Sequence, residues 1–171
     1  LSEALKVYDQ MGQFEWIFLR GNIPPKASDL LRHRTGNCRD EASFVVYLSR
    51  SLGIPAAIDF TPHWGNRSNS HSWSVLLKSD GKGTPFYMGC VPGDTAQYFH
   101  PYKKPKVYRR TFRVNQKILE DLRGEENVPS LFRMPTFIDV TNEYYDAKNI
   151  VRDLPYGYLS QKIAYICVYD N

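Results

Sequence analysis

The chain has 171 residues, which suits one domain, or one domain plus a fragment of a neighbour. Hydrophobic residues at 42% and charged residues at 23% exclude a disordered chain, and no apolar run is long enough to predict a membrane span. A net charge of +4 is too weak to signal nucleic-acid binding, so no nucleic-acid partner is expected.

The chain opens Leu1-Ser2-Glu3-Ala4, with charge where a signal peptide needs an apolar core, and it lacks an initiator Met. A processed or trimmed product is therefore expected. Aromatics reach 14%, with 12 Tyr, a bias shared by β-rich and carbohydrate-facing proteins. The three cysteines, Cys38, Cys90 and Cys167, allow at most one disulfide. No CxxC occurs, which excludes the common zinc-finger spacings.

In chain order, the spacing of Ala4, Leu5, Val7, Tyr8 and Met11, then Phe14, Trp16, Ile17, Phe18 and Leu19, predicts helix interrupted at Gly12. Pro24-Pro25 forces the chain out of helix, and a short helix follows over 27–33. Asn37 is a good N-cap, with Asp40 placed to reach back to it, and Asp40 and Glu41 fall where a helix dipole favours acids. The helix then runs to Leu52 and is apolar on more than one face, so it should be buried. Gly53 ends it and Pro55 prevents a restart.

Strands are predicted over 56–60 and 71–77, separated by a polar loop, with a hairpin turn at Asp80-Gly81 and an antiparallel return over 84–91. Residues 102–114 read as extended and basic, the solvated face of an edge strand. A short helix over 115–122 and a strand over 137–140 follow. Residues 162–169 are strongly β-prone. The predicted organisation is a domain over 1–155 and a C-terminal strand over 156–171, the possible start of an adjoining β-rich domain.

Cys38 carries the chemistry. At a helix N-terminus the free amides and the dipole stabilise a thiolate and can lower the thiol's pKa. The Cys38 amide could also help hold an oxyanion. A nucleophilic thiol needs a base, and His71, opening a strand after a flexible loop, is the candidate. Each residue alone has a plainer reading: a small buried hydrophobe for Cys38, a surface or capping residue for His71. Zinc held by Cys38, His71 and Cys90 is a weaker alternative, and His33, His63 and His100 are scattered. Trp64 and Trp73 are core residues or, functionally, the wall of a substrate cleft.

The ordered set Gly36-Asn37-Cys38, Leu52-Gly53-Ile54-Pro55-Ala56 and His71-Ser72-Trp73 closely resembles the transglutaminase-like superfamily over about residues 14–92. The segment from Ile58 to Arg67 looks most like exported bacterial members of unassigned role. The resemblance implies an α+β, papain-like fold, with a nucleophile helix packed on an antiparallel sheet. It implies Cys38 as nucleophile, His71 as general base, a peptide, protein or glycan substrate bound near Asn37, Trp64 and Trp73, and an extracytoplasmic location. No cofactor and no metal is expected. The superfamily's third member is an acid on the strand after the histidine. Here no carboxylate lies between Asp80 and Asp94, and Tyr87, Gly89 or Cys90 occupies the region. Asp94, or Asp59 from the preceding strand, could serve instead. The expected function is cysteine-dependent acyl transfer on amides, as peptidase, amidase or transglutaminase-type enzyme. The alternative is a non-catalytic glycan- or peptide-binding module on the same scaffold.

Overall fold

The computed structural model describes residues 2–17, 24–87, 103–148, 151, 153 and 157. Helix α1 (Ser2–Met11) stops at Gly12, whose φ of +76° a helix cannot continue. The helical spacing predicted from Phe14 does not persist as helix over 14–17, and Phe18 and Leu19 lie outside the described residues. Glu15–Trp16 (β1) instead pairs in parallel with Thr35–Gly36 (β2), because the backbone of this stretch bonds to the segment leading into the next helix. Between them lies α2 (Ala27–His33).

Helix α3 (Cys38–Ser51) is the central rod. Asn37 Oδ1 accepts from the amides of Arg39 (2.9 Å) and Asp40 (3.3 Å), and Asn37 N donates to Asp40 Oδ2 at 3.0 Å. The expected reciprocal cap is thus formed, and it fixes Cys38 at the first helical position. Gly36 is required by close approach: a Cβ there would lie 2.5 Å from Asp40 Cβ. At the other end Gly53 has a φ of +75°.

The main sheet contains β3 (Ala56–Thr61), β4 (His71–Leu77), β5 (Gly83–Phe86), β6 (Tyr108–Arg110) and β7 (Phe137–Asp139), in the order β5-β4-β3-β6-β7, with every pair antiparallel. Side chains alternate between its faces. Ala56, Ile58 and Leu76 pack with Phe86 and Tyr8 against Ala42, Val45 and Val46 of α3. Ala57, Trp73 and Val75 pack with Val107 and Val140 on the other face. Burying each such side chain contributes about 1.5–3 kcal/mol for the larger ones. This is the α+β, papain-like arrangement that the sequence implied.

One expectation holds only in part. Lys103, Lys104, Lys106, Arg110 and Arg113 are exposed as expected, but β6 lies between β3 and β7 and is not an edge strand. Arg109 is only 4% exposed. Its Nε and Nη2 meet Asp59 Oδ1 and Oδ2 at 2.8 and 2.9 Å, and its Nη1 and Nη2 meet Glu143 at 3.0 and 2.8 Å. Tyr144 donates to Asp59 Oδ2 at 2.6 Å, and Trp73 Nε1 donates to Tyr144 Oη at 2.7 Å. Arg109 Nη1 also donates to the Gly81 carbonyl (3.1 Å), and Glu143 Oε2 accepts from Gly83 N (2.7 Å). The buried guanidinium thus ties the β4–β5 hairpin, β3 and the helical turn Thr141–Tyr144 together. The strand expected over 162–169, together with Cys90, Asp94, His100 and Cys167, lies outside the described residues.

Two ion pairs on this sheet should separate sharply. Arg109→Met leaves the Asp59 carboxylate buried without its counter-charge and is expected to cost about 3–5 kcal/mol in denaturant unfolding. Lys106→Met removes the partner of Asp139 (2.7 Å), with side chains 61% and 44% exposed, and is expected to cost no more than about 1 kcal/mol.

Candidate active site

The cap sets Cys38 at the start of α3, and the sheet sets His71 at the start of β4. Cys38 begins α3, and its sulfur hydrogen-bonds the backbone of Ser72, the residue after His71. Its own amide and that of Arg39 also favour a thiolate. These donors do not prevail. Burial pushes the thiol pKa up, so the lowered value expected from the helix terminus is overturned: desolvation outweighs the amides.

His71 is enclosed by aromatic rings. Its centroid lies 5.8 Å from Trp64, in a stacked arrangement, 5.8 Å from Trp73, 6.2 Å from Trp16 and 6.1 Å from Tyr87. Burial among them pushes the imidazole pKa down to about 4. At neutral pH Cys38 is therefore a thiol and His71 a neutral imidazole.

The group on the imidazole is a phenol. Tyr87 Oη lies 2.5 Å from His71 Nε2 and 3.4 Å from the Ser72 carbonyl oxygen. A carboxylate can only accept there, but a phenol can do either. With its proton on Nε2, the ring keeps its own hydrogen on Nδ1. With its proton turned to the Ser72 carbonyl, it accepts from Nε2–H and leaves Nδ1 able to take a proton. Tyr87 follows directly after β5, which pairs with β4, so the hairpin itself delivers the phenol to the histidine.

The other residues fall as follows. Asp59 does not reach the imidazole among the described hydrogen bonds: it is held by Arg109 and Tyr144. Register explains this, because Asp59 opposes Trp73 while Thr61 opposes His71, and Trp73 stands between the two. Asp94 lies outside the described residues. The Asn37 side-chain oxygen is committed to capping α3. Trp73 is fully buried with its indole on Tyr144, and Trp64 is buried against His71, so both back the imidazole as core residues. Among the described residues no group of three or more His, Cys, Asp or Glu is arranged to hold a metal.

Two participants escaped the sequence reading. Trp16 donates its indole N–H to Glu41 Oε2 at 2.7 Å while its ring approaches His71. Burial pushes the Glu41 carboxyl up to about 7, against the pull of that indole bond. Glu41 follows Cys38 by three positions, hence on the same side of α3, and that spacing was the available signal. Its reading as an ordinary first-turn acid concealed it.

Residues 13–83 match the family model described as the transglutaminase-like superfamily. No curated protein matches the chain. A crystal structure from Cytophaga hutchinsonii named as a "Putative Cysteine Protease" is 26% identical, covering 51% of this chain and 30% of its own, with a TM-score of 0.42. The shared region is thus less than a third of that protein's length.

The raised thiol and lowered imidazole give a defined pH profile. Alkylation of Cys38 by iodoacetamide, followed by intact-mass spectrometry, should be slow at pH 6 and climb with a midpoint above the roughly 8.5 of a free thiol. A rate plateau below pH 6 would instead reveal a thiolate–imidazolium pair.

Proposed function

We propose that this chain, transglutaminase-like over residues 13–83 and of the cysteine-enzyme kind, performs cysteine-dependent acyl transfer on amide substrates. The observation that supports the reading is the hydrogen bond to Cys38, at the capped start of α3, from the backbone of Ser72, the residue after His71. Cys38 Sγ attacks the amide carbonyl, and His71 Nδ1 takes the thiol proton as the bond forms. Because the thiol lies above its ordinary value and the imidazole near 4, this transfer is concerted with attack and does not precede it. The imidazolium returns the proton to the leaving amine, and water or another amine resolves the thioester. The Cys38 amide offers a donor to the developing oxyanion.

In this scheme Tyr87 is a positioning residue. Its phenol oxygen accepts from Nε2–H while its own proton turns to the Ser72 carbonyl, which sets the tautomer with Nδ1 free. A phenol stabilises an imidazolium less than a carboxylate does, and losing an orienting carboxylate can cost on the order of 10⁴ in rate. That observation favours, as a second reading, a non-catalytic peptide- or glycan-binding module on the same scaffold.

A panel of peptide amides and thioester-trapping electrophilic peptides distinguishes the two readings. The enzyme reading expects an acyl adduct on Cys38 by intact-mass spectrometry, absent in Cys38→Ala and His71→Ala. Binding of the same peptides that survives in Cys38→Ala, with no adduct and no turnover in the unaltered chain, establishes the binding module instead. Tyr87→Phe is expected to lower kcat about ten- to a hundred-fold with little change in KM, as one hydrogen bond to a charged group is worth about 1.5–3 kcal/mol. An unchanged kcat in that variant removes Tyr87 from the mechanism.

A further inference from the structure

Trp16 has a second side. Beside its indole, α1, β1 and the first turns of α3 line an open cavity of about 440 Å³, whose walls include Tyr8, Asp9, Phe14, Trp16 and Glu41. We propose that this cavity binds a cationic group, the ammonium or guanidinium of a peptide side chain, with Glu41 as its counter-charge.

Glu41 carries the case. It is only 4% exposed, and Oε2 is held by Trp16 while Oε1 has no hydrogen-bond partner among the described residues. A buried carboxyl oxygen left unpaired is costly, and a donor arriving in the cavity relieves that cost. A donor that also carries positive charge does more, because it restores the ionised form that burial suppresses in this group. Asp9 adds a second acid at the wall, and the three aromatic residues provide ring surface suited to a cation. Arg34 comes close to the cavity wall, with a guanidinium nitrogen 3.3 Å from where a Cβ on Gly12 would lie, yet among the described residues it makes no ion pair with Asp9 or Glu41.

The position gives the site its meaning. Glu41 lies one turn along α3 from Cys38, and the Trp16 ring is 6.2 Å from that of His71. A side chain seated here belongs to a peptide whose backbone passes the thiol, so the cavity selects Lys or Arg near the reacting amide. This assignment to a substrate rests on the cysteine-enzyme reading; binding of the cation does not.

The test uses N-acetyl-lysine amide and N-acetyl-arginine amide as probes, with N-acetyl-norleucine amide and N-acetyl-citrulline amide as neutral controls. Binding is followed by the indole N–H signals in ¹H–¹⁵N spectra, with Trp16 assigned by Trp16→Phe, in the unaltered chain and in Cys38→Ala. The charged probes should shift the Trp16 signal saturably in both proteins and the neutral ones should not. Glu41→Gln should weaken binding at least about tenfold, matching the loss of a charge-assisted hydrogen bond. Should that variant fail to fold, Asp9→Asn, at an exposed position, is expected to weaken binding about two- to three-fold. Equal shifts from charged and neutral probes, no shift at all, or full-strength binding after these substitutions would overturn the proposal. Because Cys38→Ala binds without turnover, failure here leaves the acyl-transfer reading standing, and saturable binding without any adduct on Cys38 overturns that reading alone.

Discussion

The ion pair between Asp59 and Arg109 holds the site from behind. Neither charge could remain in a protein interior alone, and each is satisfied by several partners from different elements. Tyr144 joins that network to the Trp73 indole, and Trp73 is one of the rings that enclose His71. The imidazole is thus positioned by a chain of contacts that begins in charge and ends in ring packing. Gly83 belongs to the same chain: a Cβ there would lie 2.3 Å from an Arg109 nitrogen, so the hairpin can close over the guanidinium only with glycine.

The front of the site has the opposite character. His71 sits among aromatic rings, and partial burial keeps both it and Cys38 neutral. A thiol at a helix N-terminus is commonly taken as an activated thiol. Here the same burial that shapes the pocket withdraws the water a thiolate needs, and three backbone amides do not replace it. Reactivity must then come from a bound substrate and a proton acceptor acting together, which places unusual weight on what holds the imidazole. The holder is a tyrosine whose hydroxyl can donate or accept.

Much of the fold was legible because it is local. The Asn37–Asp40 cap, the end of α3 at Gly53, the helix at 27–33 and the strand at 71–77 all follow from residues a few positions apart. Where the reading failed, a distant partner decided. The stretch 14–19 has helical spacing, but the backbone of Glu15–Trp16 pairs with Thr35–Gly36. Arg109 reads like one more solvated residue of its basic run, but two carboxylates distant in the chain hold it buried. Asp59 looked available as an orienting acid until strand register and Arg109 claimed it.

The sequence by itself determined that a cysteine begins a capped helix, that a histidine begins a strand, and that no acid stands on the returning strand, because caps, turns and hairpin lengths act over a few residues. Only the tertiary structure decided that the thiol is raised and the imidazole lowered, that Tyr87 meets Nε2, and that Glu41 is buried beside Trp16. Protonation depends on desolvation and on partners brought from across the fold, and neither is written in the spacing of residues along a chain.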